Sequence, residues 1–70
     1  MNSTRTLTAV IPAGLAGQRL DQALGQVFPD YSRNRLQGWI RTGSVRLDGA
    51  IVPIRHRVSG GEAVALQPTP

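Results

Sequence analysis

Ser32-Arg33-Asn34-Arg35-Leu36-Gln37-Gly38-Trp39-Ile40-Arg41-Thr42-Gly43-Ser44-Val45-Arg46-Leu47-Asp48-Gly49 changes its hydrophobic period halfway along, and that change decides the fold. In the first half Leu36, Trp39 and Ile40 recur at i, i+3 and i+4, one face of a helix running from about Arg33 to Thr42. After Gly43 the period falls to two: Val45 and Leu47 face one way, Arg46 and Asp48 the other, and Asp48-Gly49 is a strong hairpin turn. Ala50-Ile51-Val52 is the expected return strand. A helix leading directly into such a hairpin predicts an α+β domain.

The helix carries its own boundary signals. The Ser32 hydroxyl suits an N-cap, Tyr31 and Leu36 are spaced as a hydrophobic staple, and Gly43 suits the C-terminal cap. Gly38 lies mid-helix, where it costs about 1 kcal/mol relative to alanine. It is either a point of close approach for a ligand or simply tolerated. Arg33 and Arg35 occupy the first turn, where the helix dipole favours acids, at about 0.3–1 kcal/mol per misplaced charge. The same helix end, carrying two guanidinium groups, is a strong place to hold a phosphate.

On the N-terminal side, residues 5–12 are β-prone and end at Pro12, which predicts a first strand, with a loop from Ala13 to Gly17. From Arg19 the pattern is helical: Leu20, Ala23, Leu24, Val27 and Phe28 form a stripe, and Gln18, Asp21, Gln22 and Gln26 lie off it. Pro29 stops this helix. On the C-terminal side, Pro53 to Val58 is an irregular arm holding Arg55, His56 and Arg57. Ser59-Gly60-Gly61 turns the chain into a last strand, Glu62 to Leu66. Residues 67–70, Gln-Pro-Thr-Pro, suit the start of a linker. The expected organisation is a strand and loop over residues 1–18, a compact domain over 19–66, and the linker. Two packed helices lie against a small, mostly antiparallel sheet.

Seventy residues give one small domain with a core near the lower limit for independent folding. There is no cysteine to staple it, no apolar run near the roughly 20 residues that span a bilayer, and no signal-peptide hydrophobic region at Met1 to Thr4. A cytoplasmic monomer is the expectation. Eight basic residues against four acidic ones give a net charge of +4, which suits a polyanionic partner. All eight are arginine, whose planar fork matches phosphate and stacks on bases. A GC-rich genome would also explain the lack of lysine, but not the placement of the arginines.

The catalytic inventory is nearly empty. His56 is the single histidine, the four acids lie on different elements, and no nucleophile elbow, Walker loop or dinucleotide fingerprint occurs. No metal, cofactor or catalytic residue is expected within these residues. The candidate phosphate-binding residues are Ser32, Arg33 and Arg35 first, then Arg41, Arg46, Arg55 and Arg57, with Arg19 flanking. Arg41 equally suits the negative end of the helix dipole. Trp39 and Tyr31 are expected in the core and the staple, so no exposed aromatic platform for splayed bases is foreseen.

The order of these motifs resembles the alpha-L RNA-binding motif, the domain named after small-subunit ribosomal protein S-four. Arg19-Leu20-Asp21 and Ser32-Arg33 open the two helices, Gly43-Ser44-Val45-Arg46-Leu47-Asp48-Gly49 follows, and Gly60-Gly61-Glu62-Ala63-Val64 ends the pattern. Residues 17–33 are similar to the N-terminal domains of large-subunit rRNA pseudouridine synthases. Asp48 departs from the asparagine usual before that glycine, which keeps the turn and weakens a phosphate contact there. The resemblance implies that Arg33, Arg35 and the hairpin arginines face structured RNA, large-subunit rRNA in particular. It also implies a fused catalytic domain downstream, an isomerase working without metal or organic cofactor. That enzyme class uses an aspartate in an Arg-Leu-Asp motif. Arg19-Leu20-Asp21 spells the same letters but opens a small helix here, and Asp21 is not read as catalytic.

Two alternatives stand beside the RNA-binding domain of a pseudouridine synthase. One is a stand-alone ribosome- or rRNA-binding protein, favoured by a reading frame that stops at Pro70. The other is helix-turn-helix DNA binding, opposed by the hairpin directly after the second helix.

Overall fold

A computed structural model describes residues 6–68. Strand β1, Leu7–Val10, is followed by a short 3-10 turn at Ala13–Leu15, helix α1 at Leu20–Val27 and helix α2 at Arg33–Thr42. Strands β2, Val45–Leu47, and β3, Ala63–Leu66, complete the order. The sheet is β1-β3-β2 and antiparallel throughout, and the two helices pack on each other. The α+β architecture read from the sequence is the one observed. Of the residues expected in the first strand and the terminal linker, Arg5, Thr69 and Pro70 lie outside the described residues.

Local chemistry sets both ends of α2. Ser32 Oγ accepts a hydrogen bond from the Arg35 N–H at 3.2 Å. At the other end Gly43 is left-handed, with φ 84°. Its N–H donates to the Ile40 carbonyl and the Ser44 N–H to the Trp39 carbonyl, a Schellman cap that requires the missing Cβ. Tyr31 meets Trp39 edge-on at 5.0 Å between ring centroids, one turn further along α2 than Leu36. Pro29 ends α1 as expected, with Phe28 donating back to the Leu24 carbonyl.

One core serves all elements. Leu20, Leu24, Leu36, Ile40, Val45 and Leu66 are fully buried, and Ile11, just beyond β1, belongs to the same cluster. Register places Val45 opposite Leu66 and Leu47 opposite Val64, so the inward faces of β2 and β3 coincide.

The return strand at Ala50-Ile51-Val52 does not form. Asp48 and Gly49 make the expected turn with φ of 51° and 82°, but pairing stops at the Leu47–Ala50 bridge. The ladder partner of β2 is β3, which runs along the opposite edge of the strand. The Asp48 N–H donates to the Ala63 carbonyl at 2.7 Å, and Asp48 Oδ1 accepts from the Ala63 N–H at 2.9 Å. Released from the sheet, the chain from Ile51 crosses toward the C-terminal end of α2, where Ile51 lies against Gly43. At this same end of β3, Glu62 accepts from the N–H groups of Ser59 and Gly60, which shapes the preceding turn.

Candidate nucleic-acid interface

Helix α1 begins with a buried acid. Asp21 has no exposed surface, although the stripe of α1 places it off the apolar face. Packing of α2 across the first turn of α1 explains this. It brings Gln37 to 2.8 Å and Arg33 to 3.0 Å from Asp21 Oδ2. Arg19 supplies a two-pronged contact, Nε to Oδ1 at 3.1 Å and Nη2 to Oδ2 at 2.9 Å. Burial alone would raise the carboxyl pKa. The hydrogen bonds from Gln37, Arg19 and Arg33 outweigh it and hold Asp21 well below the usual carboxylate range.

This cluster revises the electrostatics of the α2 N-terminus. Arg33 is not an unanswered charge, because Asp21 from α1 partners it. Two guanidinium groups share one carboxylate, so the cluster keeps one positive charge. About half of each arginine side chain remains exposed, 43 % for Arg19 and 53 % for Arg33. Arg33 also borders a shallow polar depression lined by Gln18, Gln22 and Gln26. Arg35 lies over Trp39, its Cζ 5.0 Å from the ring centroid, a cation–π contact that fixes an otherwise flexible side chain. Ser32, expected among the binding residues, caps the helix with its hydroxyl oxygen as acceptor.

The other arginines separate by element. Arg41 near the end of α2 and Arg55 on the arm join Arg19 around one open groove. Arg46 points outward from β2 beside a smaller depression with Ser44 and Gln67. Arg57 pairs its backbone with Arg19 and donates from Nη1 to the Gly17 carbonyl at 2.8 Å, bracing the arm against the start of α1. Arg41, Arg46 and Arg55 are exposed and enter no ion pair among the described residues. Arg19 therefore links two basic groups: to Arg33 through Asp21, and to Arg41 and Arg55 through the groove.

Sequence reasoning missed Asp21 as an organising residue. The available signal was an acid in the first turn of one helix and an arginine pair in the first turn of the next. Asp48, whose carboxylate holds the Ala63 N–H, is likewise structural. Among the described residues no group of His, Asp or Glu is placed to hold a metal ion, and no helix is long and apolar enough to cross a membrane.

A small α+β module with an arginine-lined surface is thus the setting for its relationships. No family profile matches the chain. It is homologous to part of a group of pseudouridine synthases. The relatives are named ribosomal large subunit pseudouridine synthase D. That of Haemophilus ducreyi is 52 % identical over 68 residues, 96 % of this chain. Those of Xylella fastidiosa and Escherichia coli are 48 % and 46 % identical, each over 86 % of this chain. The chain spans only about a fifth of their length, 21 %, 18 % and 19 % respectively.

Proposed function

We propose that this module is the RNA-binding domain of a pseudouridine synthase acting on large-subunit rRNA, and that it holds structured RNA through arginine–phosphate contacts. Residues 19–66 form the binding unit, β1 completes its sheet, and the chain from Gln67 onward leads to a catalytic domain. The isomerisation itself belongs to that domain, since the Arg19-Leu20-Asp21 triplet is not available for chemistry here. Asp21 is fully buried and held by Arg19, Arg33 and Gln37, so its carboxylate has no access to a uridine.

The observation that carries this proposal is the continuity of basic residues through Arg19, which joins the α2 N-terminus to the groove of Arg41 and Arg55. Arginines at the start of α1, on α2 and on the arm present guanidinium groups to solvent, and a guanidinium fork matches a phosphate. Arg35, Arg41 and Arg55 are the best probes, because removing them breaks no ion pair. Arg33 is a poorer probe, because its loss also weakens the anchorage of Asp21.

Titration of an rRNA stem-loop at several salt concentrations tests the proposal. Each of Arg35→Ala, Arg41→Ala and Arg55→Ala should weaken binding and reduce the salt slope by about 1. Unchanged affinity and slope in the triple variant, with thermal stability intact, would overturn it.

A further inference from the structure

Phosphate anchoring leaves one property of the groove unexplained: much of its lining is apolar. The groove, of about 570 Å³, lies between the C-terminal half of α2 and the arm. Arg19, Arg41 and Arg55 line it together with Ile40, Ile51 and Ile54. No acidic residue is among the described residues that line it. Ile51 is 57 % exposed and shares the groove with three guanidinium groups.

The backbone holds Ile51 in that position. Its Cδ1 lies 3.2 Å from where a Cβ on Gly43 would sit. The glycine that closes α2 therefore also makes room for Ile51 to rest on the helix end. The exposed aliphatic surface is built by the same cap that terminates the helix.

The geometry points to this groove as the seat of one unpaired nucleotide of the bound RNA, with its phosphate on Arg41 and Arg55 and the face of its base on Ile51. This rests on the RNA-binding reading above and gives it a specificity element. A phosphate alone has no use for an apolar lining, and a purely apolar ligand has none for three arginines. A nucleotide has both surfaces, and guanidinium planes also stack on bases. Bases within a paired stem are stacked on their neighbours and cannot offer a face to Ile51. The groove volume falls in the range of roughly 300–1,000 Å³ usual for small-ligand sites.

Fluorescence anisotropy with two labelled RNA hairpins tests this on the 70-residue chain: one with a fully paired stem, one identical but for a single bulged adenosine. The bulged hairpin should bind about tenfold more tightly. Ile51→Ser should abolish the preference and leave binding of the paired hairpin unchanged. Equal affinity of the unsubstituted chain for both hairpins would overturn the groove assignment while leaving phosphate anchoring intact. Failure to bind either hairpin would overturn both. Retention of the preference by Ile51→Ser would also overturn the groove. If Ile51→Ser unfolds at the assay temperature, the exposed pair Arg41→Gln and Arg55→Gln makes the same test. A larger loss for the bulged hairpin supports the seat, and an equal loss for the two overturns it.

Discussion

Asp21 is the residue on which the two helices are registered. Its carboxylate receives three side chains, one from its own helix entry and two from α2. Hydrogen bonds to a charged group are worth more than neutral ones, yet both arginine partners are about half exposed and can return to water. Replacing Asp21 by alanine should therefore cost about 1–3 kcal/mol, chiefly from the Gln37 amide and the lost anchorage of Arg33. In a domain of this size that lowers the melting temperature by roughly 4–8 °C per kcal/mol, measurable by thermal circular dichroism. A melting curve indistinguishable from that of the unsubstituted chain would show that the cluster is only decorative. Gly60 makes a different residue-scale demand. Its φ is 95°, and a Cβ there would lie 2.9 Å from the Ala13 backbone, so turn geometry and close packing both require glycine.

At the scale of the element, α2 is the best-specified part of the molecule. Ser32 caps it, Gly43 closes it, and Leu36, Trp39 and Ile40 bury its face. These bounds and this face are legible in the sequence because capping and periodicity act between residues a few positions apart. Gly38 is the exception in its interior. A Cβ at this position meets nothing within 4 Å, so no packing in the domain itself requires glycine. Gly38→Ala should stabilise the domain by about 1 kcal/mol, seen as a higher midpoint in urea with unchanged slope. RNA affinity measured on the same variant separates the two meanings of this glycine. Equal affinity marks it as tolerated, and weakened binding with raised stability marks close approach of RNA. The hairpin was less legible. Asp48-Gly49 announces its turn, but the partner of β2 is β3, Ala63–Leu66, which the hairpin signal does not mention.

At the scale of the whole molecule, a small core is supplemented by carboxylates that act as fasteners, and besides Asp48 two of them respond to pH. Asp21 joins the helices, and Glu62 holds the turn before β3 through the N–H groups of Ser59 and Gly60. Both carboxyls are held below their ordinary range. For Asp21 the hydrogen bonds overcome its burial, and for Glu62 the backbone hydrogen bond from Ser59 leads. The unfolded chain binds protons at these groups more readily than the folded one, so their stabilisation is present above the unfolded carboxylate pKa, near 4. It is lost as pH falls below that value. Stability in urea should therefore be flat near neutral pH and decline on acidification below about pH 4, with a shallower decline in Asp21→Asn. An identical acid profile for that variant would count against Asp21 as a source of the pH dependence.

Alone, the sequence determined the local elements: where each helix starts and stops, which faces are apolar, where the Asp48 turn falls, and that the surface is rich in arginine. These follow from interactions between near neighbours and from composition. Tertiary structure alone decided that β3 lies between β1 and β2, that Asp21 is buried under α2, and that Arg19, Arg41 and Arg55 line one groove with Ile51. Each of these depends on residues far apart in the chain, whose meeting is set by how the core closes and is not encoded in any single stretch.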